Sequence, residues 1–462
     1  MLLLFTGIAV SLKAQQAAPK VFTLEECVAY AIENNVAVKN EVLNEGIARA
    51  QIGETIAQGL PQITGSGNLT YNAEIATSFL PLRAFDPTAP EGAYRPVQFG
   101  IPYQSSASIN ATQLIFSGSY FVGLRASKVF KELAEKDVVK AKTDVAEGVA
   151  LAYYGVLVAQ ERLELLKANL GRLESLYTET KAMNEQGFVE AIDVQRIQVN
   201  LNNLEAELNN VQRALEINMN ALKFQMGLPL DLPIELAQDI KSFEEVPQLV
   251  EEEVEFADRI EYQQLRVTRE LAGLDIKNTQ SQYLPTLSAF ANLGWNAGKP
   301  ELGQLFEATP DFYIKDENDQ DVLVEAHTWN RFAAVGISLN VPIFDGLLKA
   351  NTIRRKKLIA EQVDNQIRNL ESAIEMEIEQ ARIVLKNSLQ TLDAQQENRA
   401  LAEEVYRVTK IKYQEGVGSN LEVIEAENAL KTAETNYFQA LYDALVARVA
   451  YKKATGTLFP TN

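Results

Sequence analysis

The sequence predicts a mainly α protein with four short β-strands, built from a duplicated half. Three observations predict it: landmarks recurring at a nearly fixed offset, two long tracts without proline, and four segments of alternating apolar residues. Leu60-Pro61 returns as Leu284-Pro285, and Ile115-Phe116-Ser117-Gly118 as Ile343-Phe344-Asp345-Gly346. Gln186-Gly187 returns as Glu415-Gly416, and Met226-Gly227-Leu228 as Thr455-Gly456-Thr457-Leu458. All four pairs keep one order and stand 224 to 229 residues apart. A period that long is no solenoid repeat; it marks a half-protein written twice.

The helices come first. All 15 prolines fall outside Tyr103–Leu228 and Ile343–Phe459. Proline breaks helix interiors, so tracts this long without one indicate long helices. In the first tract Ile197, Leu201, Leu204, Leu208, Val211 and Leu215 recur at heptad spacing. In the second, Val363, Ile367, Leu370, Ile374, Ile378, Ala381, Leu385, Leu389 and Leu392 follow an eleven-residue pattern, which favours straight or slightly right-handed winding. Leu430, Ala433, Tyr437, Ala440, Ala444 and Ala447 form a stripe of mostly small residues that permits close helix approach. Gly118 to Gln186 would make about 100 Å of helix, and the return from Gly187 to Gly227 about 60 Å. A helix expected from Leu24 to about Ala57, about 50 Å long, supplies the missing length, so two short helices should stack end to end beside one long one. Gly346–Glu415, the return to Gly456 and a helix over Glu255–Tyr283 repeat the arrangement.

The strands have the other period. Residues 63–75 alternate apolar or glycine with polar, and Ala107–Thr112 do the same. Leu287, Ala289, Ala291, Leu293 and Trp295 share one face, as do Val335, Ile337, Leu339 and Val341. Such alternation marks strands with one apolar and one polar face. The polar faces carry small groups (Thr64, Ser66, Asn68, Ser108, Asn110, Ser288, Asn292, Ser338, Asn340), which suits a wet lumen. Trp295, Trp329, Phe99 and Tyr103 lie at strand ends, where an aromatic girdle would sit at a membrane interface. Two hairpins of a soluble sheet packed on helices are the competing reading. The repeats run over 22–228, with strands near 62–76 and 99–115, and over 256–458, with strands near 285–297 and 329–342. A proline- and glutamate-bearing linker at 229–255 joins them. Thr77–Gln98 and Gly298–Thr328 read as solvated loop tips, and the acidic run from Asp316 to Asp321 is assigned no ion site.

Composition narrows the function. With 62 acidic against 43 basic residues the net charge is −19, which disfavours nucleic acid as a partner. One His and one Cys leave no basis for a metal centre or a nucleophilic triad, and no cofactor is expected. Thr23-Leu24-Glu25-Glu26 reads as a capping box, with Phe22 and Cys27 placed to staple it, so Cys27 is a small buried hydrophobe. Residues 1–15 combine an apolar run with a short polar exit, as a secretory signal does, and no cysteine follows at lipoprotein spacing. Beyond that run no stretch is apolar for 18 residues, so no membrane-spanning helix is expected. Four strands cannot close a barrel, and open edges are not tolerated in lipid. If the strands are membranous, two copies would supply eight, filled by side chains, and three would supply twelve around a water-filled bore.

The duplication, the Thr-Leu-Glu-Glu start, the Leu-Pro strand entries, the Ile-Phe-x-Gly junctions and the two glycine tips together make the chain resemble the TolC-like outer-membrane efflux proteins. The resemblance covers essentially all of the mature chain. It implies a homotrimer whose four strands per copy form a twelve-stranded barrel in the outer membrane of a Gram-negative-type cell. A long α-helical barrel would continue it across the periplasm. It also implies no enzymatic activity: a passive exit duct of a tripartite efflux or type I secretion system, docked to a periplasmic adaptor and through it to an inner-membrane transporter. The tips Gly187-Phe188-Val189 and Gly416-Val417-Gly418 would meet the adaptor. Glu422 and Glu425, one helical turn apart on one face, match an acidic pair that lines the family's periplasmic entrance. Asp193 and Tyr413 match positions that latch that entrance, while the latching arginine is replaced by Gly418. An extracytoplasmic structural or adhesive coiled-coil protein is the alternative from another class; an enzyme finds no catalytic constellation.

Overall fold

The computed structural model describes residues 20–243, 255–315, 320–324 and 326–458. The expected signal at 1–15, residues 244–254 of the linker and residues 316–319 of the acidic run lie outside the described residues. In chain order the elements are β1 (Lys20–Phe22), α1 (Leu24–Asn34), α2 (Val36–Ala57), β2 (Gln62–Tyr71), β3 (Thr77–Pro81), β4 (Tyr94–Gln98), β5 (Tyr103–Phe116), α3 (Gly118–Glu185), α4 (Ala191–Met226) and β6 (Ile234–Leu236). There follow α5 (Ile260–Ser281), β7 (Thr286–Lys299), β8 (Phe312–Lys315), β9 (Asp321–Val324), β10 (Asn330–Asn340), α6 (Leu348–Gln414) and α7 (Asn420–Ala454). The chain divides into two compact units. One comprises Ala48–Phe130 and Glu270–Ala360; the other comprises the described residues of Met1–Ile47, Lys131–Arg269 and Glu361–Asn462.

The first unit holds an antiparallel sheet in the order β10-β7-β5-β2. The central ladder, β5 on β7, joins the first half of the sequence to the second. Register gathers the alternating residues into faces: Ile63, Ala111, Ala291 and Val335 form one cross-strand row, and Thr64, Asn110, Asn292 and Ala334 the next, on the opposite face. On the polar face Ser66 and Ser108 bond hydroxyl to hydroxyl at 2.9 Å. That face also carries two rings the alternation did not foretell. Phe332 lies across Gly294 and Phe290 across Gly336, each so close that a Cβ on the glycine would stand 2.5 or 2.7 Å from the ring. The outer edges of β2 and β10 are paired with nothing in this sheet.

The loops between paired strands are not bare. Each folds into a short hairpin, β3 with β4 and β8 with β9. Every strand of a two-stranded ribbon is an edge, which is why Pro81 and Pro96 are tolerated there. The linker also contributes structure, since β6 pairs in parallel with β1 and Ile240 is fully buried.

The second unit is helical. Heptad residues Ile197, Leu201, Leu204 and Val211 of α4 are buried, as are Val363, Ile374, Leu385 and Leu392 of α6. The capping box forms as expected: the Thr23 hydroxyl accepts from the Glu26 N–H at 3.2 Å, and Glu26 Oε2 accepts from the Thr23 N–H at 2.9 Å. Phe22 and Cys27 are buried beside it, and burial pushes the Cys27 thiol up to about 12, so it stays protonated.

The single helix expected from Leu24 to about Ala57 is two helices, because Asn35 adopts an extended conformation between them (φ −62°, ψ 135°). Its side chain has two duties there. Oδ1 accepts from the Ala37 N–H at 2.8 Å, and Nδ2 donates to the Gln225 carbonyl at 2.7 Å. The same break occurs in the second half. A 3-10 turn at Phe256–Asp258 and extended Arg259 precede α5, where one helix over Glu255–Tyr283 was expected. Each break receives the end of a returning helix: Gly227 sits on Asn34 and Gly456 on Asp258, both glycines at positive φ (72° and 75°). A Cβ on Gly227 would lie 2.8 Å from the Asn34 carbonyl oxygen. Gly227→Val should therefore cost about 2 kcal/mol or more from backbone strain, before the clash is counted. Gly53→Ala, at a helical position with open space around it, should stabilise slightly. Thermal melts of the two variants read by circular dichroism check the contrast.

Candidate functional site at the helix tips

Both long helices end in the same way. Gly187 (φ 79°) follows α3, with the Phe188 N–H bonded to the Met183 carbonyl at 2.9 Å. Gly416 (φ 76°) follows α6, with the Val417 N–H bonded to the Lys412 carbonyl at 3.0 Å. These are six-to-one closures that need a left-handed residue, which glycine supplies without strain. The return helices then start from extended Glu190 and Ser419. Phe188 and Val417 stand out at the turns, 77% and 79% exposed, and Val189 is half-buried. Gly418 is backbone against backbone: a Cβ there would lie 3.1 Å from the Tyr413 nitrogen. The turn itself thus favours a residue without a Cβ at this position.

The start of α7 fixes where its acids point. Val423 and Ile424 are buried in a cluster with Leu173, Leu176, Ile197, Leu201 and Tyr413. That packing leaves Glu422 and Glu425 exposed on the other side, one turn apart. Ser419 caps the helix, its hydroxyl accepting from the Glu422 N–H at 3.3 Å. In the first half the equivalent positions, 229 residues earlier, are Asp193 and Arg196, which pair at 3.7 Å. Tyr413 and Asp193 are not brought together. The Tyr413 hydroxyl shares a buried hydrogen bond of 3.1 Å with Thr180, while the Asp193 carbonyl accepts from Asn420 Nδ2 at 3.3 Å.

Of the expected girdle residues, Trp295 stands on the apolar face of β7, and Tyr103 packs its ring on Tyr71 at 4.7 Å. Phe99 is exposed in the connection before β5. Trp329, just ahead of β10, turns its indole N–H to the Leu305 carbonyl at 2.9 Å.

A buried polar network behind the tips went unread in the sequence. Arg172 Nε of α3 donates to Glu427 of α7 at 2.8 Å, Nη2 bonds Asn169, and Glu434 Oε2 stands 3.6 Å from Nη2. Glu427 is 4% exposed. Tyr406 of α6 is pushed up to about 12 by burial and then by the charge of Glu427. Burial, and secondarily Glu427, also raise the carboxyl of Glu434, against the pull of Arg172. The signal was legible: Glu427 and Glu434 occupy heptad positions between Val423, Leu430, Tyr437 and Leu441, all buried.

A family model described as outer membrane efflux protein matches residues 28–228 and 257–457, once for each half. The chain belongs to the outer membrane efflux protein family. It is an outer-membrane protein whose work is efflux, and the adhesive-scaffold reading gives way to that. Among relatives, a probable efflux pump outer membrane protein, TtgC of Pseudomonas putida, is 22% identical over 440 residues, covering 94% of this chain and 82% of that one. The outer membrane protein TolC of Vibrio cholerae is 23% identical over 361 residues, covering 76% and 77%. In fold, the CmeC outer membrane channel of Campylobacter jejuni superposes with a TM-score of 0.70 at 18% identity, over 100% of this chain and 95% of that one.

Removing Arg172 from this efflux protein strands a buried carboxylate. Arg172→Met should cost about 3 kcal/mol, as breaking one side of a buried ion pair does. Glu434 carries the opposite sign. Its raised carboxyl holds a proton in the fold that the unfolded chain has already released. Stability therefore falls as pH rises from the ordinary carboxyl value to the raised one. Glu434→Gln should raise the melting temperature at pH 7 more than at pH 4; melts at the two pH values check it.

Proposed function

We propose that three copies join sheet edge to sheet edge as a homotrimeric, twelve-stranded barrel, continued by an α-helical barrel that serves as a passive exit duct without catalysis. The observation that carries this reading is the four-stranded sheet itself. Each copy presents unpaired edges at β2 and β10, lipid does not tolerate unpaired backbone, and three sheets of four give a bore wide enough for water. The duct takes cargo from a tripartite efflux or type I secretion system. A periplasmic adaptor docks on the tips Gly187-Phe188-Val189 and Gly416-Val417-Gly418 and links them to an inner-membrane transporter. Exposed Phe188 and Val417 favour such docking, since apolar side chains standing clear of a turn gain by being covered.

Glu422 and Glu425 ring the periplasmic entrance as six carboxylates per trimer, attracting cations and resisting anions. The bond from Tyr413 to Thr180 and the Arg172 network tie the α6–α7 tip to the α3–α4 tip. These contacts within one copy take the place of the latch that Gly418 cannot make.

Single-channel recordings across a planar bilayer under a salt gradient test both parts. The purified wild type should conduct with cation preference, and Glu422→Gln combined with Glu425→Gln should cut that preference several-fold. An unchanged reversal potential removes the pair from the constriction. A wild type that stays a lone copy in plain buffer and never conducts refutes the duct.

A further inference from the structure

The edge strand β10 carries an apolar track that runs on into α6. Val335, Ile337 and Leu339 alternate along one strand face, Val341 and Ile343 continue the spacing just past the strand end, and all five are more than half exposed. Leu347, just ahead of α6, and Leu348, its first residue, 60% and 68% exposed, carry the track to the helix. Beyond it the chain turns basic. Gly346–Ala360 contains Lys349, Arg354, Arg355, Lys356 and Lys357 and no acidic residue, in a chain whose net charge is −19. The first half repeats the order. Ile115 and Phe116 close β5, and Gly118–Phe130 then contains Arg125 and Lys128 and again no acid.

Some of these cations are spoken for. Lys349 bonds Asp345 at 2.9 Å, Lys356 bonds Asp275 at 2.6 Å, and Arg125 bonds Glu270 at 3.0 Å. Arg354, Arg355, Lys357 and Lys128 are exposed, and none has an ion pair or hydrogen bond among the described residues. Arg355 follows Leu348, at the start of α6, by seven residues, so this cation and this leucine share a side of the helix. Seven residues rise about 10 Å. Helical side chains lean back toward the N-terminus, here toward the sheet, and long basic ones reach further. That brings the charges to the interfacial layer bordering the hydrocarbon, about 5 to 8 Å deep.

We propose that Arg354, Arg355 and Lys357, with Lys128 from the first half, form a cationic collar that binds the phosphate headgroups of anionic glycerophospholipids in the leaflet on the helix side of the barrel. It rests on the reading of the sheet as a membrane barrel. The leucines meet acyl chains while the free cations meet phosphate. Each such charge contributes roughly a five-fold preference for anionic lipid at low salt, equivalent to about 1 kcal/mol.

The test uses the purified full-length protein in detergent, titrated with phosphatidylglycerol or phosphatidylcholine. Retained lipid is counted by native mass spectrometry at low and high ammonium acetate. The wild type should hold phosphatidylglycerol at least about a hundredfold better at low salt and lose most of that preference at high salt. Arg354→Gln, Arg355→Gln and Lys357→Gln together should bring the preference down to roughly the five-fold share of Lys128 while assembly and conductance persist. Lys128→Gln alone should lower it several-fold. Equal binding of both lipids by the wild type, a preference indifferent to salt, or a triple variant that keeps it overturns the proposal. So does a triple variant that falls apart into single copies, which would make these cations subunit contacts. Normal conductance without lipid preference sinks the collar and leaves the duct standing; preserved preference without conductance does the reverse.

Discussion

Unpaired backbone at the rims of the sheet is the constraint on which the rest of this structure depends. A four-stranded sheet always has two rims, and nothing in this sheet covers those of β2 and β10. In water such rims invite chance association, and in hydrocarbon they are prohibitively costly. The strands nevertheless present an apolar face and stand bare at Val335, Ile337 and Leu339, which suits the lipid of an outer-membrane protein. The proposed pairing with sibling chains answers the same chemistry.

The duplicated architecture meets that need economically. Because β5 of one half pairs with β7 of the other, the two repeats are sewn together through the sheet and cannot part as separate domains. In the helical unit the repeats meet the same problem twice and solve it twice. A leading helix breaks at Asn35 or Arg259, and a glycine ends the returning helix against the break. The solutions differ in chemistry: Asn35 satisfies the Gln225 carbonyl with an amide, whereas buried Arg259 satisfies the Ala454 carbonyl with a guanidinium at 2.8 Å.

Much of this was legible before any coordinates. Proline-free tracts marked α3, α4, α6 and α7 because a long helix excludes proline, and alternation marked β2, β5, β7 and β10 because a pleated strand has period two. The helix breaks were not legible. Nothing local forbids helix at Asn35; the break is imposed by Gly227 and Gln225, some 190 residues away. The loop hairpins hid behind prolines that usually argue against strands. At the tips, the glycines and the acidic pair could be read from spacing and resemblance. The partner of Tyr413 could not, since Thr180 is 233 residues distant and ordinary in its own context. Glu427 and Glu434 were readable as carboxylates in a heptad seam, but their shared guanidinium lies on another helix.

The fate of one position in the two repeats has a further meaning. Where the second repeat has Glu422 and Glu425 side by side, the first has Asp193 answered by Arg196. A pore made from six identical hairpins would have to repeat any charge six times around its mouth. Carrying two non-identical repeats in one chain frees alternate hairpins to differ, so that one can be neutralised while its neighbour stays acidic. In the proposed trimer, sixfold sameness would become threefold alternation, and an aperture so lined would narrow as a triangle rather than as a circle.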